Sequence, residues 1–309
     1  MKKVLLTKDR LEKNKDLDWT KLEAFDDMTI YEKANREEQK EYIKDAEILL
    51  AEGVRLDRDL LDHGKNLKYI IILSTGYNSC DLDYCNERGI LVSNIPTYGT
   101  DIVAQYTMAL LLEICHRIGL HSDYVKEGGW QKKGEKLHWQ RDQILLNGKS
   151  LGIIGYGRIG KAVGKIAKAF GMELITAGRK PEDQKRVFRE ADIISLHCNL
   201  TEENHNLIDE EAIGTMKDGV IIINTARGGL IDEKALYQGL KSGKIHGAAL
   251  DVSKKEPIEK DNPLLSLDSI LQTPHMAWGA PEARQRILDQ AADTIEEYVK
   301  GTPIHVVSE

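Results

Sequence analysis

Three ionisable side chains, Arg227, Glu256 and His275, follow the ends of three successive apolar runs: VIIIN at 220–224, GAALD at 247–251 and SILQ at 269–272. Each sits in a short motif: Asn224-Thr225-Ala226-Arg227-Gly228-Gly229, then Asp251-Val252 with Glu256-Pro257, then Thr273-Pro274-His275. An arginine can hold a carboxylate and polarise a carbonyl beside it. A histidine can donate a proton near neutral pH, and a neighbouring carboxylate favours its protonated form. Beside a hydride donor, these are the groups that reduction of a 2-keto acid needs. Singly, each has an ordinary explanation: a surface arginine, a solvated loop glutamate, a structural histidine. Their coincidence at successive strand ends, where open α/β sheets bind ligands, carries the reading. No metal site is expected.

The hydride donor has its own signature in Gly155-Tyr156-Gly157-Arg158-Ile159-Gly160. This spacing alone is weak. Here it directly follows the apolar run Leu151–Ile154 and opens a helical pattern that continues to Phe170. Gly155 would make the tight turn, Gly157 would admit a pyrophosphate, and Gly160 would let helix and strand pack closely. The helix start at Arg158 and Ile159 would present free amides to the phosphates. The next strand, MELITA, ends in Gly178-Arg179-Lys180 rather than in the acid that usually accepts from the ribose hydroxyls of NAD. Arg179 and Lys180 suit a 2′-phosphate, so NADP is favoured over NAD.

These residues need a scaffold of parallel strands. Buried strands are expected at 4–7, 46–51, 68–73 and 90–93, with helical patterns at 33–43 and 56–63. A second series follows at 151, 172–176, 192–196, 220–224, 247–251 and 269–272. The alternation predicts βα units in two doubly wound parallel sheets, and six strands suit the dinucleotide-binding half. Between the series lie a long helix, about 101–117, and an aperiodic stretch at 122–148 that reads as a surface excursion. A closing helix is expected at 281–300, begun by Pro281 and stopped by Gly301, with Ile287, Ala291, Ile295 and Val299 on its buried face.

Composition narrows the partners. The chain has 41% hydrophobic and 30% charged residues, an ordinary globular balance. Its net charge of −7 argues against nucleic acid or an anionic membrane surface as the main partner. No apolar run approaches the roughly 18 residues of a membrane span, nor the stretch a signal peptide needs, so a cytoplasmic protein is expected. Four cysteines in a chain this long make no disulfide framework. Cys80 and Cys85 lack the spacing of a CxxC pair, and all four are expected to be buried or inert thiols.

With these motifs assembled, the sequence resembles the D-isomer-specific 2-hydroxyacid dehydrogenases over nearly its whole length. The resemblance rests on GYGRIG at 155–160, NTARGGLID at 224–232, ALDV and EP across 249–257, TPHMAW at 273–278, and NIPTYGTDIVAQYTMALLL at 94–112. It implies a Rossmann cofactor domain, 99–281, inserted in a flavodoxin-like substrate domain formed by 1–98 and 282–309, with substrate in the cleft between. It also implies that Arg227 binds substrate and that His275 and Glu256 form the acid–base pair. Thr75 and Gly76 would offer amides to the substrate carboxylate, and Cys198, Asn199, Thr225 and Asp251 would contact the cofactor. TGYN and HMAW look most like the glycerate dehydrogenase, or hydroxypyruvate and glyoxylate reductase, branch. In the similar dimers a tryptophan reaches the partner's site, so Trp130 is assigned that role in an expected homodimer. Three positions depart from the family pattern: Asn199 for Pro, Gln105-Tyr106 for Glu-His, and Met276 for Ile. The first puts the local cofactor contact in doubt, and none touches the proposed triad.

Within the family, D-lactate and phosphoglycerate dehydrogenases stay open, because one methylene in a pocket changes discrimination by only about 1–3 kcal/mol. Formate dehydrogenase fits less well, since that branch resembles Gln where Glu256 stands. A rival of another class is a cofactor-sensing corepressor-like scaffold, from which long flanking tails would be expected.

Overall fold

The computed structural model describes all 309 residues. They divide into two compact units, Met1–Gly99 with Trp278–Glu309, and Thr100–Ala277. The return to the first unit falls at 277/278 rather than at 281/282. Trp278 sets its ring edge-on to Tyr98, with 6.3 Å between centroids, so the chain rejoins that unit before its last helix begins.

The first unit is built on strands β1 (Lys3–Leu6), β2 (Met28–Ile30), β3 (Ile48–Ala51), β4 (Tyr69–Ile72) and β5 (Leu91–Asn94). They pair in the order β2-β1-β3-β4-β5, all parallel, the flavodoxin-like order. Short helices α1 (Thr20–Glu23), α2 (Arg36–Tyr42), α3 (Arg58–Leu61) and α4 (Leu82–Glu87) connect them. Apart from Lys3 at the start of β1, apolar residues fill β1, β3 and β4 without alternation because both faces of these strands are buried. Strand β2 escapes such a reading: it is a three-residue edge strand, half-buried throughout.

The second unit opens with α5 (Thr100–His116), α6 (Ile118–Lys126) and α7 (Gly129–Lys133). Its sheet comprises β6 (Ser150–Ile154), β7 (Glu173–Ala177), β8 (Ile193–Leu196), β9 (Val220–Asn224), β10 (Ile245–Leu250) and β11 (Ile270–Gln272). Helices α8 (Arg158–Ala169), α9 (Pro181–Glu190), α10 (Glu210–Thr215) and α11 (Glu233–Ser242) link them. The strand order is β11-β10-β9-β8-β6-β7. The chain leaves β6 toward β7 and then returns to β8 on the other side of β6, so the switch point lies between β6 and β8. Alternate residues serve alternate faces: Ile153, Ile193, Ile221 and Ile223 pack with α5 and α8, while Ile154, Ile194 and Ile222 pack with α9, α10 and α11. This double burial explains the continuous apolar runs.

The stretch at 122–148 lies on the surface as expected, but it is not free of helix: it contains the end of α6 and all of α7. Arg117, a left-handed residue (φ 48°), separates α6 from α5. Ile118, Leu120 and Val125 of α6 point outward, so no inward period marks the helix.

The last helix, α12 (Pro281–Val299), belongs to the first unit. Gly301 follows it in the left-handed region (φ 83°), as expected of a helix stop. Ile287, Ala291 and Ile295 are buried, but Val299 is 54% exposed, because the last turn runs past the core. Arg284 fastens the helix by donating to Gly279 O, Leu11 O and both Asp16 carboxylate oxygens. Cys80, Cys85 and Cys115 are buried and Cys198 is half-buried, all as free thiols. The first turn of α4 nevertheless brings the Cys85 sulfur within 3.7 Å of that of Cys80. No helix is long and apolar enough to cross a membrane.

The burial pattern of α12 makes a quantitative expectation. Ile295→Ala should destabilise the first unit by about 2–5 kcal/mol, and Val299→Ala by less than about 0.5 kcal/mol. Urea melts of both variants measure this; equal losses would contradict the packing.

Candidate active site

Strand β6 hands the chain to α8 through Gly155, a left-handed residue (φ 94°). A Cβ there would lie 2.5 Å from Cys198 N and 2.6 Å from His197 O, so only glycine fits. The turn therefore rests on the backbone at the end of β8, across the switch point. Gly160 is tight for a second reason: its Cβ would come within 2.5 Å of Gly155 O. Gly157, the residue before α8, differs from both. A Cβ there would meet nothing within 4 Å, so protein packing does not require glycine. Open space thus lies in front of a twelve-residue helix whose first turn, from Arg158 and Ile159, holds no acidic side chain. These residues fit a bound pyrophosphate.

The neighbours of the turn are consistent with that use. His197 shares a 2.8 Å hydrogen bond with Ser195 Oγ, and burial pushes its pKa down to about 4, so it is neutral at physiological pH. Burial also raises the Cys198 thiol. Asn199 is exposed, and its carbonyl accepts from Asn204 Nδ2 at 2.8 Å. Thr225 shares a 3.0 Å hydrogen bond with Thr107 Oγ1 on α5. At the end of β7, Gly178, Arg179 and Lys180 are exposed, and the first carboxylates, Glu182 and Asp183, lie inside the first turn of α9.

The structure brings Glu256 and His275 together. His275 Nδ1 lies 2.7 Å from Glu256 Oε2, and Ser253 N donates to Glu256 Oε1 at 3.1 Å. The hydrogen bond that His275 donates to Glu256 raises the His275 pKa; burial and the Arg227 charge oppose this, while the charges of Glu256 and Asp251 add to it. Burial alone would raise Glu256, but its hydrogen bond to His275, the charges of His275 and Arg227, and the Ser253 amide bring it below the usual carboxylate value. Arg227 is half-buried, donates from Nη1 to Ala226 O at 2.7 Å, and acts electrostatically on both partners.

The loops that carry these groups are held from the strand ends. Asn224, the last residue of β9, is buried; its Nδ2 donates to Arg227 O at 2.8 Å and its Oδ1 accepts from Ala226 N at 2.9 Å. Beyond it, a Cβ on Gly228 would fall 2.0 Å from Ser253 O, so the Arg227 loop lies backbone on backbone against the segment leading to Glu256. Sequence reasoning takes Asn224 and Gly228 only as parts of a motif and passes over Ser253. A buried polar residue closing an apolar strand was the available signal.

The remaining assigned residues lie elsewhere. Thr75 and Gly76 follow β4 in the first unit, where Asn94 Nδ2 donates to Thr75 O and Ser74 Oγ to Gly76 O, both at 2.8 Å. Trp130 lies in α7, 44% exposed, its indole N–H donating to Glu135 O at 2.7 Å. No group of three or more His, Cys, Asp or Glu side chains could hold a metal ion.

Residues 108–277 match the family model described as D-isomer specific 2-hydroxyacid dehydrogenase, NAD binding domain. The chain is 41% identical over 307 residues to a hydroxypyruvate reductase of Blautia hydrogenotrophica, covering 95% of each chain. Among solved structures it resembles a D-lactate dehydrogenase of Aquifex aeolicus complexed with NAD and lactic acid, at 31% identity and TM-score 0.85, covering 99% of each chain. It also resembles a glyoxylate reductase of Paecilomyes thermophila, at 28% identity and TM-score 0.85, covering 99% of this chain and 98% of that one.

The linkage of the His–Glu pair has a definite sign. His275, raised above its ordinary 6.5, contributes stability that is complete below 6.5 and is lost as pH climbs through the folded value. Glu256, lowered from 4.5, contributes stability that is present above 4.5 and is lost as pH falls through its folded value. Glu256→Gln should therefore lower the His275 pKa, read by NMR titration of its ring. An unmoved titration would mean the 2.7 Å contact carries no charge coupling.

Proposed function

The chain belongs to the D-isomer-specific 2-hydroxyacid dehydrogenases, nicotinamide-dependent oxidoreductases, and from that membership we propose that it reduces hydroxypyruvate or glyoxylate to the D-2-hydroxy acid, with NADPH preferred to NADH. The 2.7 Å pairing of His275 with Glu256, on the sheet edge that carries the phosphate turn, is the observation that carries this reading. Bound reduced nicotinamide supplies the hydride to the substrate carbonyl carbon. The chain supplies the rest. Arg227 holds the carboxylate and polarises the carbonyl, and the amides of Thr75 and Gly76 are assigned to the same carboxylate. Glu256 engages Nδ1 of His275 and keeps the ring protonated, so Nε2 delivers the proton to the developing alkoxide. The cofactor is assigned to Gly155, Gly157, Arg158, Ile159, Gly160, Cys198, Asn199 and Thr225. The name of the 41% identical relative favours hydroxypyruvate among the keto acids.

The preference for NADPH rests on Arg179 and Lys180, exposed at the end of β7 with no acid in the turn. Nicotinamide absorbance tests both parts of the proposal, with hydroxypyruvate, glyoxylate, pyruvate and phosphohydroxypyruvate each offered against NADPH and NADH. Fast turnover of hydroxypyruvate or glyoxylate is expected. His275→Ala should lower it by about 10²–10⁴-fold with cofactor affinity nearly unchanged. Replacing Arg179 and Lys180 by Ala should weaken NADPH more than NADH. Cofactor binding without turnover of any keto acid would move the chain to the cofactor-sensing class.

We further propose a homodimer formed through α6, α7 and the segment that follows them. Ile118, Leu120, Trp130, Leu137, Trp139 and Leu145 are all exposed there, the last three at 69%, 67% and 73%, and apolar exposure this concentrated marks an interface. Trp130 is assigned to the partner's site. Sedimentation should give twice the chain mass of 34.8 kDa, and Trp139→Asp with Leu137→Asp should give monomers. A monomeric wild type at micromolar concentration would refute the assignment.

A further inference from the structure

Cys80 closes the loop that runs from β4 to α4, and Cys85 lies in that helix. Burial alone would make both thiols inert, but the backbone brings them together. On either side of Cys80 the chain is held to Leu56: Leu56 N donates to Ser79 O at 2.8 Å, and Asp81 N donates to Leu56 O at 2.9 Å. Asp81 then caps α4 by accepting from Tyr84 N at 3.0 Å, and Cys85 N donates to Asp81 O at 3.0 Å. This single turn folds the Cys85 sulfur back to 3.7 Å from that of Cys80. The far end of α4 is held too, since Arg88 donates to Leu61 O, and to Gly64 O at 2.9 Å. Cys80 is 9% exposed and Cys85 wholly covered, so a small oxidant meets the pair from the Cys80 side. The hydrogen bond they share lowers the Cys85 pKa and, with burial, raises that of Cys80. One sulfur of the pair therefore ionises ahead of the other.

We propose that Cys80 and Cys85 form a redox modification site, which hydrogen peroxide closes into a reversible disulfide within the folded protein. The ionised sulfur attacks one peroxide oxygen, the O–O bond breaks, and the departing hydroxide takes up the proton that this thiol shed. The other sulfur then attacks the sulfenic acid so formed. The S–O bond breaks, the S–S bond forms, and a second water leaves. Two thiols lose two electrons and two protons, and one peroxide becomes two waters. A disulfide draws the sulfurs to about 2.0 Å. Because the backbone is held on both sides of Cys80 and at both ends of α4, side-chain rotation closes that gap and the 74–79 loop stays in place. Cys85 thus acts as the resolving thiol. It converts oxidation of Cys80 into a bond that reduction restores, before the sulfur reaches the irreversible sulfinic state. Nothing in this proposal depends on which keto acid the chain reduces.

The test treats folded, full-length wild type with hydrogen peroxide, blocks the remaining thiols with N-ethylmaleimide in denaturant, and maps the tryptic fragments by mass. Fragment 69–88 holds Cys80 and Cys85 and neither of the other cysteines. It should be unlabelled and lighter by two hydrogens, and dithiothreitol should return both thiols. Circular dichroism should be unchanged by the oxidation. With oxidation confined to that fragment, kcat and KM should stay within about threefold, because no reacting group is displaced. Cys85→Ala should leave Cys80 to pass on to sulfinic acid, which dithiothreitol does not reverse. Cys80→Ser should leave the covered Cys85 unoxidised. Two labelled thiols in fragment 69–88 after peroxide has oxidised Cys198 would overturn the proposal. So would a disulfide that appears only as the circular dichroism signal is lost, since the pair would then close in the unfolded chain alone. The wild-type map decides even where a variant fails to fold. A wild type that turns over no keto acid would sink the functional reading and leave this map to judge the cysteine pair.

Discussion

The hydrogen bond between His275 Nδ1 and Glu256 Oε2, 2.7 Å long, joins two loops that leave different strands of one sheet. Neither loop has a core of its own, and both side chains are more than one-third exposed. The bond rests on strand ends that are packed and paired beneath it. Apolar residues line both faces of β9 and β10 toward the edge, where Ile221, Ile222, Ile223, Ala248 and Ala249 are almost wholly buried. At the open edge, buried polar side chains take over from packing. Asn224 holds the Arg227 loop, Asp251 gathers the His275 turn, and Gly228 presses the first of these loops onto the Glu256 segment.

The same edge carries two regions of different electrostatic character. At the β6–β8 switch point, the turn at Gly155 and the N-terminus of α8 offer amides and space suited to phosphate, beside a His197 that burial keeps neutral. Two strands away, a carboxylate and an imidazole support each other's charged forms. Arg227 works in both directions there: it favours the carboxylate and disfavours the imidazolium. Glu256 outweighs it, so His275 stays protonated to higher pH than an isolated histidine. A proton donor for a neutral-pH reduction requires this.

Residue types reveal some of this arrangement and conceal the rest. VIIIN and LGIIG are legible as strands because double burial leaves no polar alternation. The turn at 155–160 is legible because close packing at Gly155 and Gly160 admits no side chain. Edge strand β2 is not legible, since half-buried residues without an apolar run leave no pattern. Helix α6 is hidden for a related reason: its apolar residues face away from the core. The approach of Cys80 to Cys85 depends on how α4 folds back, which spacing does not encode. The triad residues stand out by type, but their support by Asn224, Asp251 and Thr273 depends on which strand ends become neighbours. That is a property of sheet register, visible only once the strands are paired.

The central claim, that the Glu256-supported imidazole of His275 is the proton donor, is tested most directly by the pH dependence of kcat/KM in both directions. For keto-acid reduction, the rate should fall as pH rises through a single group whose pKa lies above 6.5, the ordinary histidine value. For hydroxy-acid oxidation, the rate should rise through the same group, and Glu256→Gln should move both limbs to lower pH. A reduction limb that stays in place in Glu256→Gln and survives in His275→Ala would contradict the account, because the titrating group would then be neither His275 nor a residue coupled to it.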